Sequence, residues 1–199
     1  MNKTNIEWCD YTWNPVIGCR NQCPKCWAAR FNNRFKMIPD FHSPKFFPER
    51  LIDPSKVTTP SKIAVALMGD LFSPGVKDEW INRILFTCRQ NNHIFMLLTK
   101  FPARFYEFEI PDNCWIGTSV SSAKDKNRIE ILVDMGCKYT SFVSVEPLLG
   151  SMEGADLHCI DFVFVGAQTG PGAVAPEKDW INSIQHPNIL YKENIKRFL

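Results

Sequence analysis

No run of apolar residues in this chain approaches the roughly 18 that a membrane-spanning helix needs. The N-terminal stretch MNKTNIEWCDYTW also lacks the apolar region of a secretory signal. Both absences lead to the expectation of a cytoplasmic protein with no membrane partner. Charge of one sign is lacking too: the net charge of +2 is too small by itself to argue for a nucleic-acid surface. There is no internal repeat, no low-complexity tract and no linker rich in Gly and Ser, so a single domain over residues 1–199 is the economical expectation. A chain of 199 residues is long enough to bury a sizeable core. The last absence is the most telling. Cys19, Cys23 and Cys26 stand in GCRNQCPKCWAAR with C-x3-C-x2-C spacing, and no fourth cysteine follows nearby.

From about residue 62 the chain acquires a rhythm. Strand-length apolar runs cover Ile63 to Met68, Ile94 to Leu98, Trp115 to Val120, Thr140 to Val145, Phe162 to Val165 and Ile189 to Tyr191. Helix-like segments lie between them, at Lys77 to Gln90, Ala103 to Phe108, Ala123 to Met135 and Glu177 to Ile184. Ile81, Ile84, Leu85 and Cys88 are spaced to share one helical face, and Ile129, Leu132, Val133 and Gly136 repeat that spacing more weakly. A strand at Pro15 to Gly18 and a helix from Trp27 would make a first unit. Continuous apolar strands joined by helices imply a parallel sheet covered on both faces. The class is therefore α/β. The chain is short for a full eight-unit barrel, which takes about 250 residues. The expectation is a partial or minimal (β/α) barrel of six to seven parallel strands, with a doubly wound open sheet as the alternative. Residues 32–61 break the rhythm with several prolines, aromatics and scattered basic residues, and read as an excursion folding over the active face.

Function in parallel α/β folds gathers at the carboxyl ends of strands. At or just after the ends of the apolar runs stand Gly69 and Asp70, Thr99 and Lys100, Ser119 and Ser121, Glu146, Gln168, and Lys192, so every unit brings polar groups there. Each has an ordinary reading as a cap or turn residue, Glu146 and Lys192 as an ion pair, and Lys100 as a solvated charge. Their conjunction with the cysteines points to a site. Of the other five cysteines, Cys88, Cys114, Cys137 and Cys159 stand singly among apolar neighbours and read as core filling, and Cys9 has no single reading. Trp8, Tyr11 and Trp13 read either as core or as a shield for the cysteine loop.

Structural zinc sites close with four ligands, so zinc here would recruit Cys9, His42 or a distant group. A closed 4Fe-4S cluster likewise takes four thiolates. Three thiolates leave one iron of such a cluster open to bind a substrate or cofactor. Pro24 stiffens the loop and suits the start of the helix that follows.

The C-x3-C-x2-C loop after a first strand resembles the radical S-adenosylmethionine (SAM) superfamily. The segments IEWCDYTWNPVIGC, PERL, MGDLF, LLTKFPAR, WIGTSVSS, SVEPLLG, DFVFVGAQTGPG and LYKEN, spread over residues 5–194, resemble a narrower phage- and prokaryote-associated family of unknown function with a radical-SAM-like barrel. The resemblance implies a 4Fe-4S cluster held by Cys19, Cys23 and Cys26, with SAM on its open iron. Gly69 and Asp70 would then meet the SAM amino group, Ser119 and Ser121 the ribose, and Gly166 and Ala167 the adenine. Thr99, Lys100, Glu146, Gln168 and Lys192 would be substrate or SAM-carboxylate contacts. Three positions depart from the pattern. Lys25 precedes the third cysteine where an aromatic is common, with Trp27 as a substitute cover. Gln168 replaces a Glu, and YKEN replaces an FKQWG-like ending.

The implied activity is reductive cleavage of SAM to a 5′-deoxyadenosyl radical, with an electron donor such as flavodoxin or ferredoxin. The substrate is open; a nucleic acid or nucleotide is one candidate, because the aromatic and basic excursion suits bases and phosphates. The alternative is a non-catalytic Fe-S or zinc-binding module that recruits a partner.

Overall fold

The computed structural model describes residues 1–135 and 138–199. Two positions named above, Gly136 on the weaker helical face and Cys137 among the core cysteines, lie outside the described residues. The fold is α/β, with a mostly parallel eight-stranded sheet whose strands alternate with helices. The chain divides into two compact units, Met1–Trp115 and Ile116–Leu199.

In the first unit, β1 (Asn2–Lys3) pairs antiparallel with β2 (Tyr11–Trp13), and β2 pairs parallel with a later strand at Lys62–Val65. Between them, β3 (Val16–Ile17) turns aside and pairs antiparallel with β4 (Lys45–Phe46) in a separate two-stranded ribbon. The strand expected at Pro15 to Gly18 is thus not the first strand of the parallel sheet; Tyr11–Trp13 is. The reason is Trp13, whose ring is fully buried, lies 5.8 Å from that of Phe95 and donates through its indole N–H to the Arg50 carbonyl. Burying so large an apolar surface places its own segment in the sheet.

Helix α1 (Trp27–Phe35) follows the cysteine loop. It ends at Lys36, which is left-handed at φ 52°, and the buried Asn32 side chain closes the turn by bonding both the N–H and the carbonyl of Ile38. The excursion then forms β4 and two short 3-10 turns, Pro48–Ile52 and Pro54–Lys56, each opening on a proline. Next come β5 (Lys62–Val65), α2 (Asp78–Arg89) and β6 (Ile94–Thr99). Ile81, Ile84, Leu85 and Cys88 are the buried face of α2, as their spacing predicts. The Ala103 to Phe108 segment is 3-10, Pro102–Glu107, rather than α-helical.

Strand β7 (Cys114–Val120) carries the boundary between the units. In the second unit, helix α3 (Lys126–Asp134) leads to β8 (Ser141–Val145) and β9 (Phe162–Val165). Helix α4 (Lys178–Asn182), β10 (Ile189–Tyr191) and α5 (Glu193–Lys196) complete it. Phe142 pairs with Phe162 and Val163 with Ile189 in parallel register. The strands of the large sheet lie in chain order. A doubly wound sheet reverses its order at a switch point, and no such reversal occurs among the described strands. No helix among the described residues is long and apolar enough to cross a membrane.

Of the single cysteines, Cys88 and Cys114 are buried against each other, in keeping with core filling. Cys159 is only half-buried, because its segment precedes β9 at the surface.

Candidate functional site

The cysteine loop is positioned by two glycines. Gly18, left-handed at φ 103°, donates its N–H to the Met68 carbonyl and forms a parallel bridge with Gly69. A Cβ on Gly69 would collide with the Gly18 carbonyl. The bare Gly69 lets these backbones pass so closely, while Gly18 is required by its left-handed φ and by the Phe41 carbonyl that a Cβ would strike, and their contact sets the residues after β5 beside the cysteines. Ser73 secures the arrangement: its hydroxyl accepts from the Arg20 N–H at 3.0 Å and lies 3.5 Å from the Cys19 sulfur.

Each of the three sulfurs faces an N–H donor. The Asn21 backbone N–H donates to Cys19 at 3.3 Å, its side-chain amide to Cys23 at 3.2 Å, and the Ala29 N–H to Cys26 at 3.5 Å, which makes Cys26 the N-cap of α1. Pro24 sits in the turn closed by the Cys26 N–H on the Cys23 carbonyl, three residues before α1 begins. It therefore serves the turn rather than the helix start. Lys25 completes that turn in the left-handed region at φ 59°.

Cys19 is buried, whereas Cys23 and Cys26 are half-buried. Burial pushes the Cys19 thiol up to about 11, against the pull of Ser73 and the Asn21 N–H. The apolar cover comes from the excursion. Phe41 and Ile38 pack in one cluster with Ile17, Cys19, Ala28 and Met68, and Phe47 packs against it. Trp27, by contrast, is 54% exposed and does not cover the loop. The excursion also brings His42, whose Nδ1 lies 3.1 Å from the Cys19 carbonyl oxygen.

The donor set fits a thiolate-bound group: three sulfurs in one short loop, each with an N–H turned toward it. Among the described residues, no three His, Cys, Asp or Glu side chains converge closely enough to hold a metal ion. The three sulfurs would have to draw together on binding.

Asp70 is buried at the same place. Its carboxylate accepts from the Thr99 hydroxyl at 2.7 Å, the Lys100 N–H at 2.9 Å and the Phe72 N–H at 3.0 Å. Burial pushes this carboxyl up, and the three donors pull against it. The structure therefore gathers Cys19, Gly69, Asp70, Thr99 and Lys100 within the first unit.

A second cluster stands in the second unit. Glu146 and Lys192 form an ion pair at 2.8 Å, both largely buried, and the Ser144 hydroxyl lies 3.3 Å from the other Glu146 oxygen. Gly166 is bare beneath them: a Cβ there would meet Glu146 Cγ and Lys192 Cδ at 3.2 Å. The Asn194 side-chain amide bonds both the N–H and the carbonyl of Ala167. Gln168 accepts from the Val174 N–H at 2.9 Å, closing its own loop. Ser119 and Ser121 are engaged through backbone atoms, with Arg128 on the Ser119 carbonyl and Asp125 on the Ser121 N–H.

Sequence reasoning missed Ser73, Asn21 and Asn194. Ser73 lies one residue past the MGDLF segment, and only the fold shows that its hydroxyl reaches back to residue 20.

Neither the curated proteins nor the solved structures contain a match to this chain. A family model described as "Protein of unknown function (DUF5131)" matches residues 3–191, and the chain belongs to that family.

Proposed function

We propose that the cysteine loop holds a 4Fe-4S cluster through Cys19, Cys23 and Cys26, and that the chain is a radical SAM enzyme. The observation that carries this reading is the set of three loop thiols, each facing an N–H donor, with no fourth thiol in the loop. Such a cluster, when SAM is bound to its open iron, supplies a 5′-deoxyadenosyl radical for hydrogen abstraction.

The chain's own residues would act as follows. The Asn21 N–H groups would steady two thiolates, and Phe41 and Ile38 would exclude water from the buried side. Asp70 uses three acceptor positions on protein donors; a carboxylate offers about four, so one remains for an ammonium such as the SAM amino group. Lys192 would exchange its Glu146 partner for a ligand carboxylate. The setting is the cytoplasm, with a flavodoxin- or ferredoxin-type electron donor and a nucleic acid or nucleotide as the candidate substrate.

The test is anaerobic iron–sulfur reconstitution followed by electron paramagnetic resonance of the reduced protein. A 4Fe-4S signal that changes when SAM is added supports the reading. A cluster blind to SAM overturns it.

One observation favours a second reading. His42 stands over the Cys19 carbonyl, so its Nε2 offers a fourth ligand for a closed Cys3His zinc site, which would make the chain a non-catalytic module. Stoichiometric zinc that is lost in His42→Ala would establish it.

A further inference from the structure

We infer that the outward face of α1 is a binding platform for single-stranded nucleic acid. Trp27, Phe31 and Phe35 are 54%, 42% and 53% exposed, unusual for three large aromatics on one short helix. At about 100° per residue, Arg30, Arg34, Trp27, Phe31 and Phe35 fall within an arc of roughly 140°. The buried residues of the helix, Ala28 and Asn32, lie outside that arc. The face is therefore built from aromatics and arginines alone.

Its side chains form one continuous aromatic and cationic cluster, with the two phenylalanine rings tilted by 41° to each other. The Phe31 and Phe35 rings are 4.4 Å apart, and the Arg34 guanidinium lies 5.2 Å from the centre of the Phe35 ring. Beside the helix is a cleft of about 420 Å³ that Trp27 and Phe31 line together with Asn14, Thr12 and Arg50. That volume is within the range of small-ligand sites, about 300–1,000 Å³, and it combines aromatic walls with polar groups able to meet a base edge.

Charge selects the occupant. Between residues 11 and 39 the chain carries Arg20, Lys25, Arg30, Arg34 and Lys36 and no Asp or Glu, although the whole chain is only +2. An apolar protein partner would not need an arc free of carboxylates; a phosphodiester backbone does. Aromatic faces serve unpaired bases, which stack, and not duplex, whose bases are enclosed. As a substrate surface the platform rests on the enzyme reading above. As a binding surface it does not.

The experiment is fluorescence anisotropy of a labelled oligothymidylate with the full chain, both as isolated and after iron–sulfur loading. Binding is expected in both forms. Phe31→Ala should weaken it about tenfold or more, Phe31→Tyr should retain it, and far-UV circular dichroism should show both variants folded. Arg30→Ala with Arg34→Ala should lower the salt slope between about 50 and 200 mM by about 1.4, from roughly 0.7 per phosphate contact. The inference is overturned if the oligonucleotide does not bind, if a matched duplex binds equally well, or if the variants bind like the wild type. It is also overturned if sedimentation shows self-association that Phe31→Ala abolishes, because the face then meets a second copy. Binding without any SAM-dependent cluster would leave the platform standing and the enzyme reading fallen; the converse would do the opposite.

Discussion

In the first unit the strand-end carboxylate, Asp70, is held by two backbone N–H groups and a threonine hydroxyl. In the second, Glu146 meets the Lys192 side chain across the bare backbone of Gly166. Backbone donors move only when their loops move, so Asp70 is a fixed point that orders the residues around the cysteines. A pair of flexible side chains can separate and re-form with another charge. A carboxylate at the same kind of position thus gives a rigid anchor in one unit and an exchangeable contact in the other. The cysteine loop belongs to the unit with the fixed carboxylate, so its three sulfurs would draw together beside an anchor that stays in place.

The largest expected effect falls on the cysteines. Cys19→Ala, Cys23→Ala or Cys26→Ala should each abolish visible iron–sulfur absorption after reconstitution, while Cys159→Ala in the other unit should leave it intact. Full cluster retention in any of the three would remove the ligand assignment. Next is the packing that anchors the first unit. Trp13→Ala should cost about 4 kcal/mol in urea unfolding, because it removes a fully buried ring and its bond to Arg50.

Asp70→Ala should cost about 3 kcal/mol by orphaning its buried donors, and should weaken SAM binding by calorimetry without loss of cluster. Its pH signature has a definite sign. The folded carboxyl is pushed above the unfolded value of 3.8, so its contribution is fully present below that pH and declines as pH rises through the folded value. Asp70→Asn should remove that part of the stability profile.

In the second unit the effects should be smaller. Glu146→Gln should cost about 2 kcal/mol, since the pair is only partly desolvated. Gly166→Ala should cost about 1 kcal/mol or less, because the atoms in its way belong to flexible side chains. A cost for Glu146→Gln as large as that for Asp70→Ala would erase the contrast between an anchored and an exchangeable carboxylate.

Most of the fold was legible. The apolar runs after residue 90 became strands within a residue, while the run Ile63 to Met68 leaves the sheet after Val65, and the i, i+3, i+4, i+7 pattern of α2 became its buried face, because burial on one side of a regular element leaves its period in the chain. The exception, Val16–Ile17, is as apolar as any sheet strand. Its departure into a ribbon with Lys45–Phe46 follows from a neighbour, Trp13, taking the sheet position. Trp27 illustrates the same limit at the site. Its place beside Cys26 suggested cover, but the fold turns it outward and brings Phe41 and Phe47 from the excursion instead.

The sequence by itself determined the α/β class, the three closely spaced thiols and the presence of polar residues after each strand, since spacing along a covalent chain and the partition of apolar side chains from water are local properties. The tertiary structure alone decided which donors each carboxylate receives and which aromatics are left in solvent. Asp70 and Thr99 are 29 residues apart, and Glu146 and Lys192 are 46 apart. Over such separations a hydrogen bond or ion pair is chosen by where packed strands deliver their ends, not by anything written beside the residue itself.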